Sequence, residues 1–210
     1  VLAKNNLCGK SAVLDGEKGF IRLLSNTCPN SLDLSIKKMN GEAILEWGLN
    51  FKPYPSCSYT HRLIDASLNL SRNIQLNEID SINVKIMDYR NSILPYNFPK
   101  NRHEAMFSIP FCISTGLIKK RFTVMELDNE FWNDDFCKEV ISKVSIQPQP
   151  TNKIPKHKKE KLPDEISITL RSGRKIESKV SYPLGSTKNP MSKNEIIDKF
   201  MSLTKNYREK

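Results

Sequence analysis

Two side chains that can move protons lie near the ends of a short proline-rich segment, Asn50 to His61. Lys52 and His61 are separated by Pro53 and Pro55, which restrict two φ angles and push each preceding residue into an extended conformation. A lysine that loses solvent can act as a base, or it can stay charged and bind a carboxylate. The spacing therefore favours either acid–base chemistry or an anion site.

The elements around this segment decide where His61 lies. A strand is predicted at Ala43–Leu49 before it, and a helix from Thr60 to Ser71 after it. Thr60 is the expected N-cap, which places His61 in the first helical turn. The same residues would also suit an ordinary strand-to-helix loop with a surface lysine, so this interpretation stays open.

Two further helices are predicted in the middle of the chain. The segment Arg102–Lys119 is almost entirely apolar, and Pro110 should bend or restart its helix. The segment Leu127–Ser142 is amphipathic, with Asp134 and Asp135 as favourable charges at a helix start. The small residues that would let another element approach the first of these helices are Ala105, Ser114, Thr115 and Gly116.

The strands indicate an α+β fold. Ile82–Ile86 alternates as a half-buried strand should, and Val144–Ile146 is a short strand. Glu165–Leu170 and Lys175–Val180 are two alternating runs joined by a turn that contains Gly173, which predicts an antiparallel hairpin. Strands and helices are thus mixed rather than regularly repeated, as in α+β domains.

Both ends of the chain are predicted to be helical. Residues 1–26 read as helix, turn, helix, and a last helix begins at a capping box formed by Ser192 and Glu195. The apolar residues of the last helix are Ile196, Ile197, Phe200, Met201 and Leu203. Because the chain supplies few partners for these faces, we expect a segment of a longer protein or one subunit of a larger assembly.

The net charge of +10 first suggests nucleic acid, but its distribution does not support that class of partner. The densest basic run, Lys153 to Lys161, is flanked by prolines and contains no aromatic residue for base stacking. It is typical of a solvated loop. Anionic small molecules are the better candidates for attraction by the positive electrostatic field of the chain.

Membrane, metal and disulfide chemistry also find little support. No apolar run approaches the roughly 20 residues of a membrane span. The five cysteines are widely spaced and the three histidines show no ligand spacing. We expect a reduced, cytoplasmic protein without a metal site or cofactor.

Several strings, in this order, resemble the C-terminal half of the MmgE/PrpD family, the 2-methylcitrate dehydratase group. They are DGEKGF at 15–20, KPYPSCSYTH at 52–61, EAMFSIPF at 104–111, LRSGR at 170–174, NPMS at 189–192 and KF at 199–200. The resemblance implies that residues 1–36 end a large helical domain. Residues 37–182 would form a small α/β lid with the antiparallel hairpin, and residues 183–210 would return to the helical domain.

The resemblance also implies a function. Family members act beside a carboxylate of a small polycarboxylic acid, without a required metal or cofactor. It implies a lyase that dehydrates 2-methylcitrate or a similar tricarboxylate, with cis-aconitate decarboxylation or epimerisation as alternatives. A non-catalytic module that pairs with a helical half is a further alternative.

The residues that match the family's motifs take their roles from the same resemblance. Lys52 and His61 would be catalytic. The substrate-binding candidates are Tyr54, Ser56, Cys57, Phe107 and Ser108. Relatives are homodimers, and the helical half supplies the other wall of their cleft, so we expect little activity from this segment by itself.

Overall fold

The computed structural model of the chain describes residues 48–152 and 162–208. The described residues from Asn50 onward belong to one compact unit. The helices predicted in residues 1–26, the body of the strand predicted from Ala43 and the basic run at 153–161 lie outside the described residues. The predicted division at residues 36 and 182 stays a prediction.

Helices and strands are mixed along the described ranges, which confirms the α+β class. The helices are α1 (His61–Leu70), α2 (Asp88–Asn91), α3 (Arg102–Met106), α4 (Ile109–Lys119), α5 (Val124–Asp128), α6 (Asp135–Ser142) and α7 (Lys193–Arg208). The strands are β1 (Ile79–Met87), β2 (Val144–Gln149), β3 (Asp164–Leu170) and β4 (Lys175–Val180). Short 3₁₀ turns lie at Ser58–Thr60, Leu76–Glu78 and Phe131–Asn133.

The four strands form one sheet in the order β2-β1-β3-β4. β1 pairs in parallel with β2 and antiparallel with β3, and β3 pairs antiparallel with β4. The predicted hairpin is thus confirmed, with Gly173 at φ +82° in its turn, a conformation that glycine adopts without strain. The predicted alternation of β1 is also confirmed, because Ile82, Val84 and Ile86 are buried while the residues between them are partly exposed.

The core lies between the sheet and two helices. α1 packs on β3 and β4, and α4 packs against α1 and α6. Every residue of α4 from Ile109 to Leu117 is buried, as expected for a helix that is apolar all round. A Cβ at Gly116 would lie only 2.0 Å from Ser67 Oγ on α1, so this glycine permits the close approach of the two helices.

The predicted helix Arg102–Lys119 is two helices, α3 and α4. The break falls at Phe107–Ser108, where the Ser108 hydroxyl caps α4 by accepting a hydrogen bond from Phe111 N at 3.2 Å. Pro110 occupies the first turn of α4, where the missing N–H costs no helical bond. The prediction that the proline restarts the helix is confirmed.

The prediction of one helix over Leu127–Ser142 is wrong. α5 ends at Asp128, a 3₁₀ turn follows, and α6 begins at Asp135. The chain leaves the helical path at Glu130, which has φ +49°. Asp134 then caps α6 by accepting a hydrogen bond from Cys137 N at 2.9 Å, so the two adjacent acids are helix-start residues, as predicted.

The last helix begins where the capping box predicts. Glu195 N donates to Ser192 Oγ at 3.2 Å, and Ser192 N donates to Glu195 Oε2 at 2.7 Å. Much of the apolar surface of α7 is exposed within the described unit. These exposed side chains are Ile197, Phe200, Met201 and Leu203.

Candidate active site

The segment from Lys52 to His61, termed here the motif turn, leads directly into α1. A 3₁₀ turn at Ser58–Thr60 precedes the helix, which begins at His61 as predicted. Thr60 holds the N-cap position, but its hydroxyl makes no capping bond and donates instead to Cys57 O at 2.8 Å. The expected side-chain cap is therefore absent, and the backbone of Thr60 is already in the helical conformation.

A pocket of about 340 Å³ lies between the start of the motif turn and a second loop, Pro183 to Ser186. Lys52 and His61 both line it. Phe51 N donates to Gly185 O at 2.8 Å and so ties the two loops together. Gly185 has φ +85°, and a Cβ there would lie 1.9 Å from Phe51 O, so the loops can approach only because this residue is glycine.

His61 is the buried titratable group of this pocket, with 3% of its surface exposed. Its Nε2 lies 3.4 Å from Ser56 O, and its ring meets the Tyr54 ring edge-on at a centroid distance of 5.2 Å. Burial first, and then the positive charges of Lys52 and Lys199, lower the pKa of His61 to about 4, although the hydrogen bond to the Ser56 carbonyl opposes this shift. The imidazole is therefore neutral at pH 7.

Lys52 is exposed, and its main chain is held by the last helix. The ammonium of Lys199 on α7 donates to the carbonyl oxygens of Lys52 and Pro53, the second at 3.4 Å. Burial and then the neighbouring charge of Lys52 lower the pKa of Lys199. Two cations thus stand near His61, which makes this end of the unit attractive to an anion.

Tyr54 is buried, and its hydroxyl is bonded to α1. It donates to Asp65 Oδ1 at 2.5 Å, and Asp65 Oδ2 accepts from Leu184 N at 2.7 Å. Burial, and next the Asp65 carboxylate, raise the pKa of Tyr54, so the hydroxyl keeps its proton. Burial also raises the pKa of Asp65, although both of its hydrogen bonds oppose that shift.

None of the five predicted substrate-binding residues, Tyr54 included, lines this pocket. The Ser56 hydroxyl is buried against Thr60 Oγ1 at 2.8 Å, and Cys57 N donates to Met106 O at 2.9 Å. Phe107 packs on the His103 ring at a centroid distance of 5.0 Å, and Ser108 caps α4. Among the predicted site residues, this pocket therefore brings together Lys52 and His61, and a role for the others in substrate binding stays a prediction.

Three polar residues of the pocket were not anticipated from the sequence: Asn50, Ser58 and Ser186. The Ser186 hydroxyl is buried and has no hydrogen-bond partner among the described residues. Asn50 Oδ1 accepts from Thr187 N at 3.2 Å, so the asparagine also joins the two loops. No spacing rule could have found Ser186, because its loop is distant from the motif turn in sequence.

The described ranges contain no group of three His, Cys, Asp or Glu side chains placed to hold a metal ion. Within the same ranges, none of the helices combines the length and apolar content that crossing a membrane requires. Cys57, Cys112 and Cys137 are free thiols, and Cys112 is fully buried. Burial raises the pKa of Cys112 to about 12, so its thiol is protonated and unreactive.

The comparisons agree with the resemblance noted in the motifs. Residues 54–210 match the family model of the MmgE/PrpD C-terminal domain, a range that includes His61 and begins just after Lys52. The cis-aconitate decarboxylase of Mus musculus is 27% identical over 95% of this chain, and that of Homo sapiens is 26% identical over 95%. The chain spans 41% of the length of each of these relatives. Because the family model covers most of the chain, this protein belongs to the MmgE/PrpD family.

Proposed function

We propose that this chain supplies the α+β part of a lyase that moves a proton beside a carboxylate of a small polycarboxylic acid. The observation that carries the proposal is the pocket in which Lys52 and the neutral, buried His61 meet. Its volume of about 340 Å³ suits a small ligand. Membership of the family, whose relatives include lyases, supports the reaction class.

In the proposed site, Lys52 binds a substrate carboxylate and His61 exchanges the proton. The exposed lysine offers three donors on a flexible stem. The neutral imidazole has a free electron pair, and a bound polyanion would raise the pKa of His61 again by favouring the imidazolium. Proton uptake by His61 would then be coupled to substrate binding. Ser186 also lines the pocket, and its buried hydroxyl has no hydrogen-bond partner among the described residues.

Two lyase reactions fit this site. In dehydration of 2-methylcitrate, a proton leaves the carbon beside a carboxylate, hydroxide leaves the neighbouring carbon with the bonding electrons, and an alkene and water result. In decarboxylation of cis-aconitate, the bond to one carboxylate breaks, carbon dioxide leaves, and the electron pair that stays on the carbon skeleton takes up a proton. The names of the two relatives favour decarboxylation. Epimerisation, the third reaction of the family, needs the same proton exchange.

The proposed enzyme needs a helical partner, either an N-terminal half or a separate chain, and acts as a cytoplasmic homodimer. The exposed apolar face of α7 supports such a partner, because a helix with this surface is rarely left in water. The chain spans 41% of the length of its relatives, and the rest of their length is enough for such a helical half. If no chemistry occurs at the pocket, the chain is a non-catalytic module that uses the same face.

A calorimetric and kinetic titration tests the proposal. The full chain is titrated with 2-methylcitrate and with cis-aconitate, alone and mixed with the N-terminal half of a curated relative as a separate polypeptide. Products are followed by NMR. We expect binding and turnover in the mixture, and a loss of turnover of at least about 100-fold in Lys52→Ala and in His61→Gln, as is typical for acid–base groups.

Lys175→Ala is the matched control, because Lys175 is exposed at the start of β4, outside the pocket, and its loss makes the same change in charge. Wild-type turnover in Lys52→Ala or in His61→Gln would refute the proposed role of that residue. A mixture that associates but binds neither acid would refute the enzymatic function and leave the partner module. The product identifies the reaction.

A further inference from the structure

Asp65 joins the two sides of the Lys52–His61 pocket, although it does not line it. It lies on α1 four residues after His61, so the two side chains share one face of the helix. One carboxylate oxygen accepts from the Tyr54 hydroxyl in the motif turn at 2.5 Å. The other accepts from Leu184 N in the second loop at 2.7 Å.

Each of these bonds fixes a part of the site. The bond to Tyr54 holds that ring edge-on to His61, at a centroid distance of 5.2 Å, where it packs against the buried imidazole. The bond to Leu184 holds the loop that carries Gly185 and Ser186, which is the wall opposite Lys52. Both bonds involve an ionised acceptor, the stronger class of hydrogen bond.

We infer that Asp65 is a positioning residue: its carboxylate fixes the Tyr54 ring against His61 and the 183–186 loop opposite Lys52. This inference rests on the proposed function for its catalytic consequence, but its structural content concerns this chain alone. Asp65 acts through its neighbours, because both carboxylate oxygens are occupied within the fold and the side chain is absent from the pocket lining.

The titration of His61 separates positioning from a direct effect of charge. If the Asp65 charge acted directly on His61, its removal would make the imidazolium less stable and lower the pKa of His61. If Asp65 acts by holding Tyr54 in place, its removal admits water to His61 and raises that pKa from about 4 toward the ordinary 6.5. Among the residues that the structure describes, the charged groups that act on His61 are Lys52 on the motif turn and Lys199 on α7, and they are the same in both cases.

The experiment is an NMR titration of the histidine rings in the full chain, with the His61 signals assigned by their loss in His61→Gln. In Asp65→Asn, we expect the pKa of His61 to rise by at least half a unit. The amide oxygen can still accept from Leu184 N, but the Tyr54 hydroxyl loses its acceptor. Asp80→Asn removes one charge from an exposed position on β1 and should leave the His61 titration unchanged.

A second variant keeps the test decisive if Asp65→Asn loses its dispersed spectrum. Tyr54→Phe retains Asp65 and its bond to Leu184 but frees the ring, so a smaller rise in the pKa of His61 is expected. An unchanged or lowered pKa of His61 in whichever folded variant is measured would overturn the inference.

Turnover in the mixture with the helical half distinguishes this inference from the proposed function. The expected result is a lower kcat in Asp65→Asn with a small change in KM, because the substrate anchor Lys52 remains. If the His61 titration shifts as expected but the wild-type mixture is inactive, positioning stands and the proposed function fails. If wild type is active and the titration does not shift, the inference about Asp65 fails alone.

Discussion

At the level of single residues, the environment of His61 decides what the pocket can do. Its neutral form is favoured by burial and by the cations of Lys52 and Lys199. The sequence placed the histidine at the helix start but carried no sign of Lys199 as its neighbour. A histidine of this kind makes the free energy of unfolding depend on pH, because the unfolded chain binds a proton that the folded chain excludes.

The lowered pKa of His61 predicts that acid destabilises the folded chain. Since the pKa of His61 is about 4 when folded and 6.5 when unfolded, the unfolded state binds more protons between these values, and stability falls as pH is lowered through that window. The contribution lost between pH 7 and pH 5 is about 2 kcal/mol, from the difference in proton binding. Urea unfolding at the two pH values measures it.

The controls for this prediction are two substitutions. His61→Gln should remove most of this difference between pH 5 and pH 7, because glutamine does not titrate. His103→Gln, at an exposed position, should retain it. The prediction fails if the free energy of unfolding of His61→Gln has the same pH dependence as that of wild type.

At the level of elements, the pocket depends on loops that are joined by long-range contacts. The Arg90 guanidinium forms a buried ion pair with Asp164 at 3.0 Å, which fixes the start of β3 against α2. Such a pair is costly to break by the loss of one partner. The 183–186 loop is held against the residues that flank the motif turn by the Phe51–Gly185 and Asp65–Leu184 hydrogen bonds. Secondary structure alone would leave both loops free to move apart.

The contact at Gly185 gives a prediction at this scale. Gly185→Ala should destabilise the chain by more than the roughly 1–2 kcal/mol of left-handed backbone strain, because the new Cβ would also overlap Phe51 O. The two loops should separate, and ligand binding at the pocket should weaken. Thermal or urea unfolding and the calorimetric titration are the measurements.

Gly173→Ala is the matched control for this change. Gly173 has φ +82°, close to that of Gly185, but within the described ranges no atom other than those of its chain neighbours lies within 4 Å of the position of its Cβ. It should therefore show the strain alone and leave the pocket intact. Equal destabilisation by the two substitutions would contradict the steric part of the argument.

At the level of the whole molecule, α7 presents an apolar surface while it holds the motif turn through Lys199. Phe200 on this helix is 58% exposed. The proposed helical partner would cover this surface and close the pocket from the other side. Helix α7 would then both contact the partner and hold the motif turn of the pocket.

The exposed position of Phe200 predicts that stability and association can be separated. Phe200→Ser should change the stability of the chain by less than about 0.5 kcal/mol, as surface substitutions do. It should weaken association with the helical half by at least about tenfold, because an aromatic anchor is lost. Sedimentation of the mixture measures association, and Lys193→Ser, at the exposed start of α7, is the control. Unchanged association would show that α7 is not part of the interface.

The sequence by itself determined the local elements and the family of this protein. The hairpin, the alternation of β1, the capping box of α7 and the helix start at His61 follow from hydrogen bonds and periodicities that span a few residues, so they can be read from the chain. The single helix predicted over Leu127–Ser142 failed for the same reason: apolar spacing continued through Glu130, where the backbone turns left-handed.

Only the tertiary structure decided which side chains meet. Asp65 and Leu184 are 119 residues apart in sequence, and Lys199 lies 147 residues from Lys52. No periodicity links such positions, because their contact depends on how α1, the sheet and α7 pack. Burial, which sets the protonation state of His61 and leaves the hydroxyls of Tyr54 and Ser56 bonded within the fold, is likewise a property of the packed molecule rather than of the residues that carry the motif.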